Sequence, residues 1–322
     1  MTRFRIAKPV TLLVAGMAVM LTTDIGIAGP YPEKPINMWV GFRPGGAVDT
    51  TGRIVAERLA KVLGQPIVPV TKSGGGGTVM ATQLAKAAPD GYTIGMGASA
   101  AFTLTPQLNK KITYKIEDFE HIATLTYPTD AVVVRADAKW KTLDDMLKDS
   151  KASGKPISIA VQVAVSRMMC MVLADKSGAK FNFVPVRGGS AGVQQVLGGH
   201  VDTMWSGSGW TEQVRAGKMR PLATISTERL KEYPDVPTLI ELGYNYTFTD
   251  TFMFSLPKGV PPAIVKTLAD AVQKVMSDPE VQKSLYDKFK LNTKYRGSAE
   301  TLAFLKKQRA DVAPLVAKLD EK

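Results

Sequence analysis

Apolar positions along the chain switch between two periods. Ile36, Met38, Val40 and Phe42 fall on alternate residues, the pattern of a strand with one buried face. Ile54, Val55, Leu59, Val62 and Leu63 then recur at helical spacing until Gly64, which ends the helix. Ile67 to Val70 predicts a second strand, Val79 to Ala87 a helix, Pro89-Asp90-Gly91 a turn and Tyr92 to Met96 a third strand. The same grammar returns later. Ile157 to Val161 reads as a strand leading to Ser166 and a helix through Lys176. Phe181 to Val184 leads to Gly188-Gly189-Ser190 and a helix ending at Leu197, and Val201 to Trp205 leads into Ser206-Gly207-Ser208-Gly209. Strands alternating with helices predict parallel sheets covered by helices, here in two copies. The halves share no strict sequence repeat, so similar architecture is expected rather than duplication.

Ala131 to Val134 lies between the halves, and a counterpart, Phe252 to Leu256, follows the second. If both cross between lobes, residues 29–130 with 251–322 form one lobe and 131–250 the other. That is an α/β protein of two lobes with a hinge of crossing strands. Its cleft lies outside the carboxyl ends of the strands, where ligands of open parallel sheets sit.

The first 28 residues stand apart. Arg3, Arg5 and Lys8 precede an apolar run from Val10 to Leu21, and Gly26-Ile27-Ala28 supplies a small-x-small cleavage pattern. The run is shorter than the roughly 20 residues that span a bilayer. A signal peptide cleaved near Ala28 is expected, with an uncleaved anchor as the alternative, and the mature protein is expected to be exported.

Composition narrows the chemistry. Cys170 is the one cysteine, so no internal disulfide is available and stability must come from packing. The two histidines, His121 and His200, are too few for a His-based metal site. The formal charge of +12 becomes +10 once Arg3, Arg5, Lys8 and Asp24 leave with the leader, which favours anionic partners. Basic residues are not interleaved with aromatics in runs, so nucleic acid is not expected. G-x-S-x-G and H-E-x-x-H are absent, and neither histidine sits beside a nucleophile in a recognisable motif. Cys170, among Met168, Met169 and Met171, reads as core. Trp205 also reads as core, while Trp205 or Trp210 could stack on a ligand ring.

Two glycine loops carry the main binding signal. Phe42-Arg43-Pro44-Gly45-Gly46-Ala47-Val48-Asp49 joins a strand to a helix, where free N–H groups and the helix dipole favour an anion. Gly45 and Gly46 let that anion approach the backbone, and Asp49 could accept a hydrogen bond near the helix start. A plain strand-to-helix turn explains the same residues. The Walker and dinucleotide spacings are missing. Ser73-Gly74-Gly75-Gly76-Gly77-Thr78 is the second loop, with Thr78 placed to cap the next helix. In the second half, Ser166, Arg167 and Arg187 stand at strand-to-helix junctions, where an arginine could grip a carboxylate through two parallel hydrogen bonds.

Tyr31-Pro32-Glu33-Lys34-Pro35-Ile36, Pro44-Gly45-Gly46-Ala47-Val48-Asp49 and Ala85-Lys86-Ala87-Ala88-Pro89-Asp90-Gly91-Tyr92-Thr93 resemble motifs of the Bug (TctC-like) solute receptors of tripartite tricarboxylate transporters. Val184-Pro185-Val186-Arg187-Gly188-Gly189, Gly198-Gly199-His200-Val201-Asp202, Arg229, Pro234-Asp235-Val236-Pro237-Thr238 and Glu241-Leu242-Gly243 extend the likeness over nearly all of the mature chain. The resemblance implies a type II-like Venus flytrap, periplasmic and monomeric, without catalysis, cofactor or metal. It implies delivery of a small carboxylate to the membrane components of such a transporter. The ligand-binding residues it suggests are Phe42, Arg43, Pro44, Gly45, Gly46, Ala47, Asp49, Gly75, Gly76, Gly77, Thr78 and Ser99, with Ser166, Arg167 and Arg187 from the second lobe. The family usually shows a glycine- and serine-rich loop with a histidine where this chain has Ala160 to Arg167, and Arg43 replaces a small residue. A dicarboxylate is therefore expected, either aromatic, such as terephthalate, or a C4–C6 diacid, with Ser166 or Arg167 on its second carboxylate. A periplasmic sensor partner, or an enzyme on the same two-lobed fold, are the alternatives.

Overall fold

The structure, a computed structural model, describes Met1 and residues 31–161, 163–186 and 188–320. The expected signal peptide lies outside the described residues, and the described helices and strands fall within the unit Pro32–Lys322. Its first half runs β1 (Ile36–Val40), α1 (Ala47–Leu63), β2 (Ile67–Thr71), α2 (Thr78–Leu84), β3 (Thr93–Ala98), α3 (Ala100–Thr103), α4 (Thr105–Leu108) and β4 (Phe119–Tyr127). Then come β5 (Ala131–Arg135), α5 (Leu143–Ser153), β6 (Ile157–Val161), α6 (Ala164–Ser177), β7 (Phe181–Pro185), α7 (Gly189–Leu197), β8 (Thr203–Ser206), α8 (Thr211–Arg215) and β9 (Met219–Ala223). The chain ends with β10 (Phe252–Pro257), α9 (Pro262–Met276), α10 (Pro279–Phe289), β11 (Asn292–Arg296) and α11 (Ser298–Asp320).

Two sheets result, in the orders β11-β4-β10-β3-β1-β2 and β7-β6-β8-β5-β9. The α/β, two-lobed expectation holds, but the sheets are mixed rather than parallel. β10 runs antiparallel to β3 and β4, and β5 antiparallel to β8 and β9. The reason is directional. Strands β1 to β4 run toward the second sheet, and a chain returning from it must enter at that edge and run away. β5 does the same in the second sheet. The strands themselves do not cross. Short segments just before β5 and β10 make the crossings, and the carboxyl ends of β1 to β4 therefore face the other lobe.

The alternation read along β1 is real. Ile36, Met38 and Val40 are fully buried, and β1 pairs in parallel with β2 and β3. α1 ends at Gly64 in the left-handed region, φ +71°, with its N–H on the Ala60 carbonyl. The two sheets do not have wholly separate cores. Ala100 and Leu104 pack with Ile159, Met169 and Leu173 of the second lobe, and Val312 and Val316 near the end of α11 join the same cluster. The last helix thus straps the hinge.

Candidate functional site

The loop after β1 is anchored by the Gly41 N–H, which donates to the Met96 carbonyl at 3.0 Å. A Cβ on Gly41 would stand 3.0 Å from Gly77 Cα, so the loops after β1 and β2 pass at backbone contact. The half-buried Phe42 ring closes the junction, 3.2 Å from where a Gly77 Cβ would stand.

Gly46 caps α1 without a side chain, and Gly45 takes φ +79°. That turn points the Gly45 N–H at Asp49 Oδ2 (2.9 Å), and the same oxygen accepts from Arg53 Nε at 2.9 Å. The bond to Asp49 raises the Arg53 pKa above its ordinary value. Asp49 is buried, and its Oδ1 has no hydrogen-bond partner among the described residues. The carboxylate therefore braces the loop from behind. In front, the Ala47, Val48 and Asp49 N–H groups, at the positive end of a 17-residue helix, have no acceptor among the described residues. Arg43, Pro44, Gly45 and Gly46 are exposed around them.

The second loop needs its glycines. Gly74 to Gly77 adopt φ of +145°, +55°, +66° and +98°, a run that side chains rarely follow. Thr78 does not cap α2. It is the first residue of that helix, and its hydroxyl donates to the Gly75 carbonyl at 3.0 Å, locking the loop. Gly76 faces the other lobe: a Cβ there would lie 3.9 Å from Val163 Cγ1. Val163 is the N-cap residue of the 14-residue helix α6 and supplies no side-chain cap. The glycine loops and the start of α6 therefore meet across the lobes.

The remaining expected site residues are placed differently. Ser166 is fully buried, and its hydroxyl donates to the Val163 carbonyl at 2.7 Å. Arg167 is exposed, with its guanidinium over the Phe183 ring, 5.1 Å from the centroid. Ser99 is fully buried in the hinge, where its hydroxyl receives the Thr251 N–H at 3.1 Å and lies 3.3 Å from Asp250 Oδ1. Arg187 lies outside the described residues. Trp205 and Trp210 are both core residues, and Trp210 Nε1 donates to the Thr129 carbonyl at 3.0 Å.

Cys170 is buried, as read from the sequence, and so is His121, which lies within β4. His121 Nε2 lies 3.0 Å from the Ile116 carbonyl and Nδ1 2.9 Å from Ser255 Oγ. Nε2 must therefore carry the proton, and Nδ1 accepts from the serine. Burial lowers the His121 pKa to about 4 and raises the Cys170 thiol well above its ordinary value, so neither is poised for catalysis.

Two residues that sequence reasoning missed sit in the crossings. Asp130 precedes β5, Asp250 precedes β10, and both are buried. Burial raises the Asp250 pKa to about 6, although the Ala100 N–H and Ser99 hydroxyl favour its anion. Burial first, and the nearby Asp250 second, push Asp130 well above the carboxylate range. A signal was available, because Thr-Asp precedes the apolar run at both crossings, Thr129-Asp130 and Thr249-Asp250.

The structure thus sets the starts of α1 and α6 and the two glycine loops between the two halves of an α/β frame. The chain's residues 51–320 match the family model described as the tripartite tricarboxylate transporter family receptor, TctC, and the protein belongs to that family. It is a receptor family, not an enzyme family. The chain is 33% identical to the UPF0065 protein in the gbd 5′ region of Cupriavidus necator over 89% of each chain. It is 30% identical to protein BugT of Bordetella pertussis over 87% of this chain and 86% of that one. MatC from Rhodopseudomonas palustris, solved with bound malate, superposes with a TM-score of 0.80 at 26% identity, covering 89% of this chain and all of that one. No described helix is long and apolar enough to cross a membrane.

Proposed function

We propose that this receptor works in the periplasm, captures a dicarboxylate between its lobes and hands it to the membrane components of a tripartite tricarboxylate transporter. The boundaries fall at the two Thr-Asp crossings, with residues 29–130 and 251–322 in one lobe and 131–250 in the other. The observation that carries the reading is the approach of Gly76 to Val163, which sets the start of α1, the glycine loops and the start of α6 around one cleft. One carboxylate takes the free N–H groups of Ala47, Val48 and Asp49, with Arg43 at the rim. The second takes the start of α6, where Arg167 swings from Phe183 onto the ligand. Ser99 and Ser166 support the loops from within. The malate in the related MatC structure fits a small dicarboxylate, and the Phe42 ring offers a stacking face to an aromatic diacid such as terephthalate.

The test is a calorimetric and thermal-shift screen against mono-, di- and tricarboxylates, aromatic ones included. A ligand at 100 times its Kd should add about 2.7 kcal/mol of stability. Arg167→Ala should weaken the best dicarboxylate roughly tenfold or more, the share of a charge-assisted hydrogen bond. Unchanged affinity refutes the role of Arg167, and the absence of binding by any carboxylate refutes the function.

A further inference from the structure

The carboxyl edge of the first sheet is wider than the cleft requires. β1, β2 and β3 deliver their loops on one flank of the hinge, while β4 and β11 lie on the other. On that second flank a cavity of about 430 Å³ opens between β11 and α11 of the first lobe and the segments 226–232 and 247–249 beyond β9. This is the size of a small-molecule site.

Arg296 sets its chemistry. β11 sends Asn292, Lys294 and Arg296 to the cavity from alternate positions, as a strand must. Arg296 is half-buried and stacks on Phe304, 4.4 Å from the ring centroid. One guanidinium nitrogen lies 3.4 Å from Thr124 Oγ1, and no carboxylate pairs with the group among the described residues. Burial lowers its pKa, only partly offset by the nearby Glu300 carboxylate and Tyr127 hydroxyl, the mark of a cation drawn from water without a paired carboxylate. Of its five N–H donors most remain unspent. The acids of the wall are otherwise engaged: Asp311 pairs with Lys307 at 2.7 Å and Glu232 with Arg215 at 3.0 Å. Glu228 is the acid of the wall with no ion pair among the described residues, and it is outweighed by Lys231, Lys294 and Arg296, so the net unpaired charge there is positive.

We propose that this cavity is a second ligand site, separate from the cleft, which takes a small oxyanion, a carboxylate or phosphate group, on the Arg296 guanidinium with Lys294 beside it. Its walls come from both halves of the chain, on the flank of the hinge away from the cleft.

The experiment follows the Arg296 Nε–Hε signal and the Phe304 and Tyr286 amides by NMR in the ¹⁵N-labelled protein. Inorganic phosphate and acetate are titrated in separate arms, each against sodium chloride at matched ionic strength. The Gly45 and Gly76 amides report the cleft independently, so occupancy of the two sites is told apart. A saturable displacement at Arg296 is expected, with phosphate alone assigning a phosphate group and acetate alone a carboxylate. Arg296→Gln should weaken the effect at the Phe304 amide by at least about tenfold. Lys294→Gln, an exposed change that leaves the fold intact, should weaken it by a smaller factor. Signals that follow chloride and phosphate or acetate alike, or an Arg296→Gln protein with unchanged affinity, overturn the proposal.

Discussion

Asp250→Asn isolates the cost of the charge held in the hinge. In the folded protein this carboxyl is buried, accepts from the Ala100 N–H at 2.9 Å and has its pKa raised by burial from 3.8 to about 6. A difference of that size corresponds to on the order of 3 kcal/mol between the ionised and neutral forms. The sign follows from linkage. With the folded pKa above the unfolded one, the folded state holds the extra proton, so the contribution to stability is complete below about pH 4 and is lost as pH rises through about 6. Asparagine keeps the acceptor for Ala100, presents a donor as the protonated acid does, and never ionises. The variant should therefore melt above the parent by roughly 5 °C at pH 7 to 8, taking the lower end of the conversion for a chain of this size. The gap should shrink steadily and reach a floor near pH 4. Differential scanning calorimetry of both proteins across pH 4 to 8 reads this directly. A gap of the same size at every pH would refute the assignment of the raised pKa to the hinge, and a variant less stable at pH 8 would show that the charge itself holds the crossing together.

His121 acts in the opposite direction, which is why differences between variants are more telling than the parent's profile. Its pKa is lowered to about 4 by burial, so the stability it contributes is present above about pH 6.5 and is lost as pH falls through about 4. His121→Gln should flatten the parent's acid-side decline by up to about 3 kcal/mol, measured by urea unfolding at a series of pH values; an unchanged slope would exclude His121 as its source. In the second loop, Gly75→Ala should cost more than Gly76→Ala, although both need a left-handed backbone worth roughly 1–2 kcal/mol to a substituted residue. A Cβ at Gly75 would lie 2.3 Å from Thr78 Oγ1, whereas at Gly76 the nearest atom is 3.9 Å away. Equal unfolding free energies for the two variants would contradict the lock formed by Thr78 on the Gly75 carbonyl.

The local sequence determined most of the elements. Alternating Ile36, Met38 and Val40 could bury one face only as a strand, and Gly64 could end α1 only through its left-handed turn. Four glycines in a row marked a loop whose backbone residues with side chains rarely follow. β4 escaped notice because Phe119 to Tyr127 is buried on both faces and lacks alternation, and β11 because its polar run Asn292 to Arg296 carries little periodic signal.

Tertiary structure decided the rest, since it depends on residues far apart in the chain. Direction in the sheets was fixed by the return across the hinge, which made β5 and β10 antiparallel to their neighbours. Which polar residues face a ligand was likewise undetermined by the sequence. Ser99 and Ser166 look available there, yet Ser99 is taken by a segment 152 positions later and Ser166 by the turn that starts its own helix. The costs of burying Asp130 and Asp250 arise only when two distant Thr-Asp pairs are brought together between the lobes, because desolvation belongs to the packed hinge and not to either segment alone.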